Sequence, residues 1–136
     1  DTKAMINVAT LTGGVVAALG TNITGAFTND EELLKDVLSA SETVGEDMWQ
    51  LPITDEFRNK LKEGNADLVN HLIHGTGASS ITAAAFLENF VEDTPWVHLD
   101  IAGTAQAANK GNKYLPKGAS GIPVKTMYEY IKNTVE

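Results

Sequence analysis

Short apolar runs alternate with segments whose apolar residues recur every three or four positions. That alternation limits the fold more than any other feature of the chain. Residues 5–9 (MINVA), 23–28 (ITGAFT) and 96–102 (WVHLDIA) have the length and the β-branched or aromatic content of strands. Residues 28–45 read TNDEELLKDVLSASETVG, and Leu33, Leu34, Val37 and Leu38 make one helical stripe. Thr28 stands three residues before Glu31, the spacing of a capping box, and Gly45 is placed to end the helix. Further helices are expected over 54–64 and over 81–93, the second capped by Ser79 or Ser80. A last helix over 124–135 is opened by Pro123, with Met127, Tyr128 and Ile131 on its buried side. MWQLP (48–52) reads as a hydrophobic cluster beside a turn, and HGTGASS and NKGNKYLPKGASG read as loops.

Strands alternating with helices place the chain in the α/β class. Three near-continuous apolar strands make a small sheet, which should be covered on both faces and extended by neighbours. The 136 residues suit one compact domain, 1–136, and the sequence reads as part of a larger one. It starts at Asp1 with no basic-then-apolar leader, as expected of a processed chain or an excised piece. The net charge of −8 opposes binding to nucleic-acid phosphates or anionic lipid surfaces. Cysteine is absent, which removes disulfides, thiolate metal sites and thiol nucleophiles and fits a reducing cytosol. No apolar run is long enough to span a membrane.

Three motifs carry candidate chemistry. NVATLTGGVVAALG (7–20) puts Thr10, Thr12, Gly13 and Gly14 between two apolar runs. It reads as a phosphate cradle, a substrate-holding strand end, or a plain strand-to-helix turn, with residues 13–20 either helical or extended. It lacks the spacing of GxGxxG and the Lys of GK[ST], which weakens the first reading. HLIH pairs His71 with His74 at i,i+3, whereas helical zinc sites use i,i+4 with a Glu, so solvated or capping histidines are the alternative. HLD puts His98 and Asp100 on one face of a strand. Such a pair can orient a base or bind a metal, or it can be a buried polar pair tying strand ends to backbone amides. GASSI lacks the GxSxG elbow of a serine nucleophile.

INVATLTGGVVAALG, GAFTND, GEDMWQLP, NADLVNH, ITAAAFLENFV, PWVHLDIAGTA and KGASGIPVKTMYEYI occur in this order. Together they resemble the C-terminal part of the catalytic domain of the leucyl aminopeptidase (cytosol aminopeptidase) family. The resemblance covers almost the whole chain. It implies a three-layer α/β/α sandwich around a mixed sheet, as in zinc exopeptidases. It also implies a metal-dependent removal of N-terminal residues from peptides, by cytoplasmic homo-hexamers. Two divalent ions, zinc with manganese or magnesium, would activate water in the complete enzyme.

By the same resemblance, Leu11 offers its carbonyl and Gly13 its N–H to the substrate main chain. Thr10, Ala102 and Ala105 line the pocket for the N-terminal side chain, Asn70 matches a family Asn, and His71 falls beside the leaving-group subsite. His98 and Asp100 support structure and bind no metal. The family's metal ligands and its catalytic Lys and Arg lie on an upstream strand and in an Asn-Thr-Asp-Ala-Glu-Gly-Arg stretch, which does not occur here. The expectation is therefore a chain that binds no metal pair and is inactive alone. Two other classes remain: an assembly or binding module, and a nucleotide-binding α/β domain using LTGG.

Overall fold

A computed structural model describes residues 2–72, 77–107 and 117–135. Strand β1 (Met5–Ala9) leads into helix α1 (Gly13–Leu19), strand β2 (Thr24–Thr28), helix α2 (Glu31–Val44) and strand β3 (Met48–Gln50). Helices α3 (Asp55–Lys60) and α4 (Ser79–Glu88) follow, then strand β4 (Trp96–Asp100). The short pair β5 (Gln106–Ala107) and β6 (Gly118–Ala119) precedes helix α5 (Val124–Val135). The main sheet has the order β1-β4-β2-β3 and is mixed: β4 runs parallel to β1 and antiparallel to β2, and β3 runs parallel to β2.

The two central strands, β2 and β4, are buried along their whole length, as apolar strands covered on both faces should be. On one face Ala26, Val97 and Leu99 meet Leu33, Leu34 and Val37 of α2, with Tyr130 of α5 packed against them. On the other, Phe27 and Trp96 meet Ala84 of α4 and Val91 beyond it. Burying a side chain such as Phe27 or Leu34 contributes roughly 1.5–3 kcal/mol. The helices therefore form two layers around the sheet, and the α/β/α expectation holds.

Several local expectations are corrected. Strand β1, expected to be buried, is an edge strand among the described residues, and its Met5 and Val8 are exposed. MWQ, expected beside a turn, is strand β3, because Thr24 to Ala26 pair with it. The cap of α2 is Asp30, whose side chain accepts the N–H of Leu33 at 2.8 Å. Thr28 is still in β2, and its hydroxyl bonds the carbonyl of Trp96 at 2.6 Å. Helix α4 starts at Ser79 behind Ala78, which is left-handed and makes no side-chain cap. Helix α3 stops at Lys60, and Arg58 joins it to α4 through two bonds to Glu88.

Helix α5 has the expected bounds, but its buried side is different. It packs on α2 through Thr126 and Tyr130, with Met127 half-buried, while Tyr128 and Ile131 are 70% and 54% exposed. Its start is held by Glu46, just after α2, which accepts both the N–H and the hydroxyl of Thr126.

Candidate functional site

Strands β1 and β4 are parallel neighbours, with Ala9 opposite Asp100. Their carboxyl ends therefore emerge side by side, the usual place for a ligand in an α/β sheet. From β1 the chain runs through Thr10, Leu11 and Thr12 into α1. From β4 it turns through Ile101 to Ala105. The ladder's last bond joins Ile101 N–H to the Ala9 carbonyl at 2.9 Å.

Beyond that bond one side chain holds both turns. The carboxylate of Asp100 is buried, with 1% of the residue exposed. Its Oδ1 accepts the N–H of Leu11 and the N–H of Ala102, each at 3.1 Å. Its Oδ2 accepts the Thr12 hydroxyl at 2.7 Å. That hydroxyl also accepts the N–H of Val15 at 3.2 Å, which makes Thr12 the N-cap of α1. Asp100 is thus the tie between strand ends and backbone amides that the HLD motif offered as one of its two readings.

His98 has a different surrounding. The Trp96 indole N–H donates to Asn7 Oδ1 at 2.7 Å, which turns the Asn7 amide group to donate to His98 Nδ1 at 2.9 Å. The neutral ring then carries its proton on Nε2, a buried atom with no partner among the described residues. The ring lies near-parallel to both Phe27 and Trp96. Burial pushes its pKa down to about 4, against a weaker upward pull from Asp100. A ring this hard to protonate, bonded to Asn7, is a core element.

In front of the β1–α1 turn lies an open cleft of about 320 Å³. Leu11, Thr12 and Gly13 form one wall, Asn70, His71 and Leu72 a second, and Ser79, Thr82 and Ala83 of α4 a third, with Leu61 among them. Four of the expected residues, Leu11, Gly13, Asn70 and His71, therefore meet at one cleft. Thr10, Ala102 and Ala105 lie outside its lining. Thr10 is exposed beside Leu11, and Ala102 and Ala105 are half-buried in the turn after β4. His74 lies outside the described residues. The sequence did not mark Thr12, Ser79 or Thr82 as lining. No local pattern marked them, since they line the cleft only where Gly14 lets α1 approach Ser79.

Gly13 is the first residue of α1, so its N–H has no partner within the helix. A Cβ built on it would meet nothing within 4 Å, so the space on that side of its α-carbon is open. The turn is poorly suited to phosphate. Leu11 spends its N–H on Asp100, Val15 spends its own on Thr12, and a carboxylate sits directly behind. His71 is the ionisable side chain among the lining residues, beside hydroxyls and apolar groups. The described lining offers polar and apolar groups for contact and holds no pair of carboxylates for acid–base work.

The sequence model described as the cytosol aminopeptidase family, catalytic domain, matches residues 1–128. The chain belongs to the cytosol aminopeptidase family. Relatives named "Probable cytosol aminopeptidase" include those of Clostridium tetani, 50% identical over 128 residues, and Fusobacterium nucleatum, 46% identical over 129. These alignments cover 94% and 95% of this chain but 26% and 27% of the relatives. The chain thus spans about a quarter of their length.

Among solved structures, the bottromycin maturation enzyme BotP in complex with Mn superposes with a TM-score of 0.89 at 39% identity, over 98% of this chain and 29% of BotP. A tomato leucine aminopeptidase mutant gives 0.82 at 36%, over 96% of this chain and 25% of its own. This chain therefore has the fold of the matching part of those structures.

The metal pair implied by the resemblance does not fit the described residues. Among them no group of three or more His, Asp or Glu side chains is placed to hold an ion. Asp100, the carboxylate nearest the turn, has both oxygens engaged by protein donors.

Proposed function

We propose that this chain is the substrate-cradling portion of a di-metal leucyl aminopeptidase. The Leu11 carbonyl and the Gly13 N–H hold the main chain of the substrate's N-terminal residue. Thr10, Ala102 and Ala105 border the pocket for its side chain, and Asn70 and His71 flank the leaving group. The observation that carries this reading is the open approach to Gly13 at the carboxyl end of β1, beside the β4 turn. Ligands approach closely where glycine leaves the backbone uncovered. Zinc, manganese or magnesium ions, peptide substrates, a homo-hexameric assembly and a cytoplasmic location belong to the same proposal, with no nucleic acid or membrane partner.

The work assigned to this segment is binding and orientation. Two divalent ions bring four positive charges together, and several carboxylates must converge to hold them. The described residues do not bring three such ligands to one place. The 136 residues alone should therefore bind no stoichiometric metal pair and release no amine from a leucine amide. The test has two arms. The chain is dialysed against zinc and manganese and assayed for bound metal and for hydrolysis of a chromogenic leucine amide. It is also fused behind the upstream part of the Bacillus subtilis relative, 49% identical over 124 residues, and assayed again. An inert chain and an active fusion support the proposal. Turnover by the chain alone, or a folded fusion without activity, overturns it.

A further inference from the structure

We propose that Asp100 is a positioning residue for catalysis: through Leu11 and Thr12 it sets the direction of the main-chain groups that meet the substrate. This rests on the cradle reading of the β1–α1 turn. The carbonyl of Leu11 belongs to the peptide between Leu11 and Thr12. Asp100 holds that peptide on both sides, by the Leu11 N–H before it and the Thr12 hydroxyl after it. The Thr12 hydroxyl in turn receives the Val15 N–H, so it fixes where α1 starts and where the Gly13 N–H points. Both groups assigned to the substrate thus lie within three residues governed by one carboxylate.

The geometry leaves few substitutes. An ionised carboxylate accepts on every lone pair, and bonds to it are roughly twice as strong as neutral ones. Three donors converge here, and no described Lys or Arg side chain pairs with the carboxylate. An amide at this position keeps one acceptor for the two backbone N–H groups. It turns a donor toward Thr12, whose hydroxyl then loses its acceptor and rotates. The third bond, Ala102 N–H to Oδ1, places the β4 turn from the same atom, so one group sets the spacing of the two turns.

The active fusion described above carries the test, with Gly13→Ala as the internal reference. Asp100→Asn should lower kcat/KM about 10- to 100-fold, since small misplacements of positioning groups cost that much. The loss should persist well below the melting temperature, in a variant with native circular dichroism. Thr12→Val should lose activity to a similar degree and Thr12→Ser should keep it. Asp100→Asn with Thr12→Val should be no worse than the more damaging single change, because both act through one bond. If Gly13→Ala leaves kcat/KM unchanged, the cradle reading has failed. If Gly13→Ala impairs turnover while Asp100→Asn only lowers the melting temperature, the positioning role is overturned. Should Asp100→Asn not fold, the Thr12 pair decides: wild-type kcat/KM in folded Thr12→Val overturns the proposal.

Discussion

Gly13 and Gly14 are neighbours in the first turn of α1, yet one methyl group should have opposite consequences at the two positions. A Cβ on Gly13 meets nothing within 4 Å. A Cβ on Gly14 falls onto the Ser79 hydroxyl and lies 3.3 Å from Ser80 N and 3.4 Å from Ser79 Cβ. The hydroxyl can rotate away, but the other two atoms belong to the start of α4 and cannot. Overpacking of this kind costs about 1–3 kcal/mol. Against it stands a gain of up to about 1 kcal/mol for Ala over Gly in a helix. Gly14→Ala should therefore lose up to about 2 kcal/mol. With an unfolding entropy of about 2.1 cal/mol/K per residue, that lowers the melting temperature by up to about 7 °C.

Gly13→Ala should leave the melting temperature of the 136-residue chain unchanged or raise it by up to about 3–4 °C, while in the active fusion it weakens substrate binding and slows turnover. Ser79→Ala, which removes the nearest atom, should restore part of the Gly14→Ala loss. Thermal and urea denaturation measure all three. Equal changes at the two glycines would refute the close α1–α4 packing on which the reasoning depends.

Two further outcomes follow from buried polar groups. Glu46→Ala leaves the buried Thr126 N–H and hydroxyl without their acceptor, so unfolding free energy should fall by about 1–3 kcal/mol. Glu46→Gln keeps one carbonyl oxygen and should lose less; equal losses in urea melts would count against the bond. His98 has a folded pKa of about 4 against an ordinary 6.5, so between these values the unfolded chain binds the proton and the folded one does not. Its contribution is complete above pH 6.5 and declines as pH falls toward 4, by about 3 kcal/mol in all. Denaturation of the wild type and His98→Gln at pH 7 and pH 5 checks this. The wild type should lose more stability between the two, and parallel losses would contradict it.

Much of the candidate site was legible through resemblance, and less through chemistry. TLTGG and HLDIAG stood out as motifs, but nothing local joined them. Leu11 and Asp100 are 89 positions apart, and they meet because β4 pairs beside β1. HLD invited a pairing of His98 with Asp100. The structure instead gives His98 to Asn7 and Asp100 to the turn, since each partner comes from the neighbouring strand and its continuation. Asn70 and His71 could be named from the resemblance of NADLVNH to the family, while Ser79 and Thr82 became lining only when α4 packed against α1.

What the sequence determined by itself is what local geometry encodes. The stripe of Leu33, Leu34, Val37 and Leu38 required a helix, because residues three and four apart share a face. The mostly apolar, β-prone run at 96–100 called for a strand covered on both sides. Gly45 ended α2 where a left-handed residue was needed. What only the tertiary structure decided is which surfaces those elements share. The order β1-β4-β2-β3 inserts the last long strand between the first two. Helix α5 buries Thr126 and leaves Tyr128 in solvent, because Glu46 and α2 capture its other side. Periodicity comes from bonds within an element and survives in any context. Burial and partnership depend on what the rest of the chain brings alongside, and no local pattern records that.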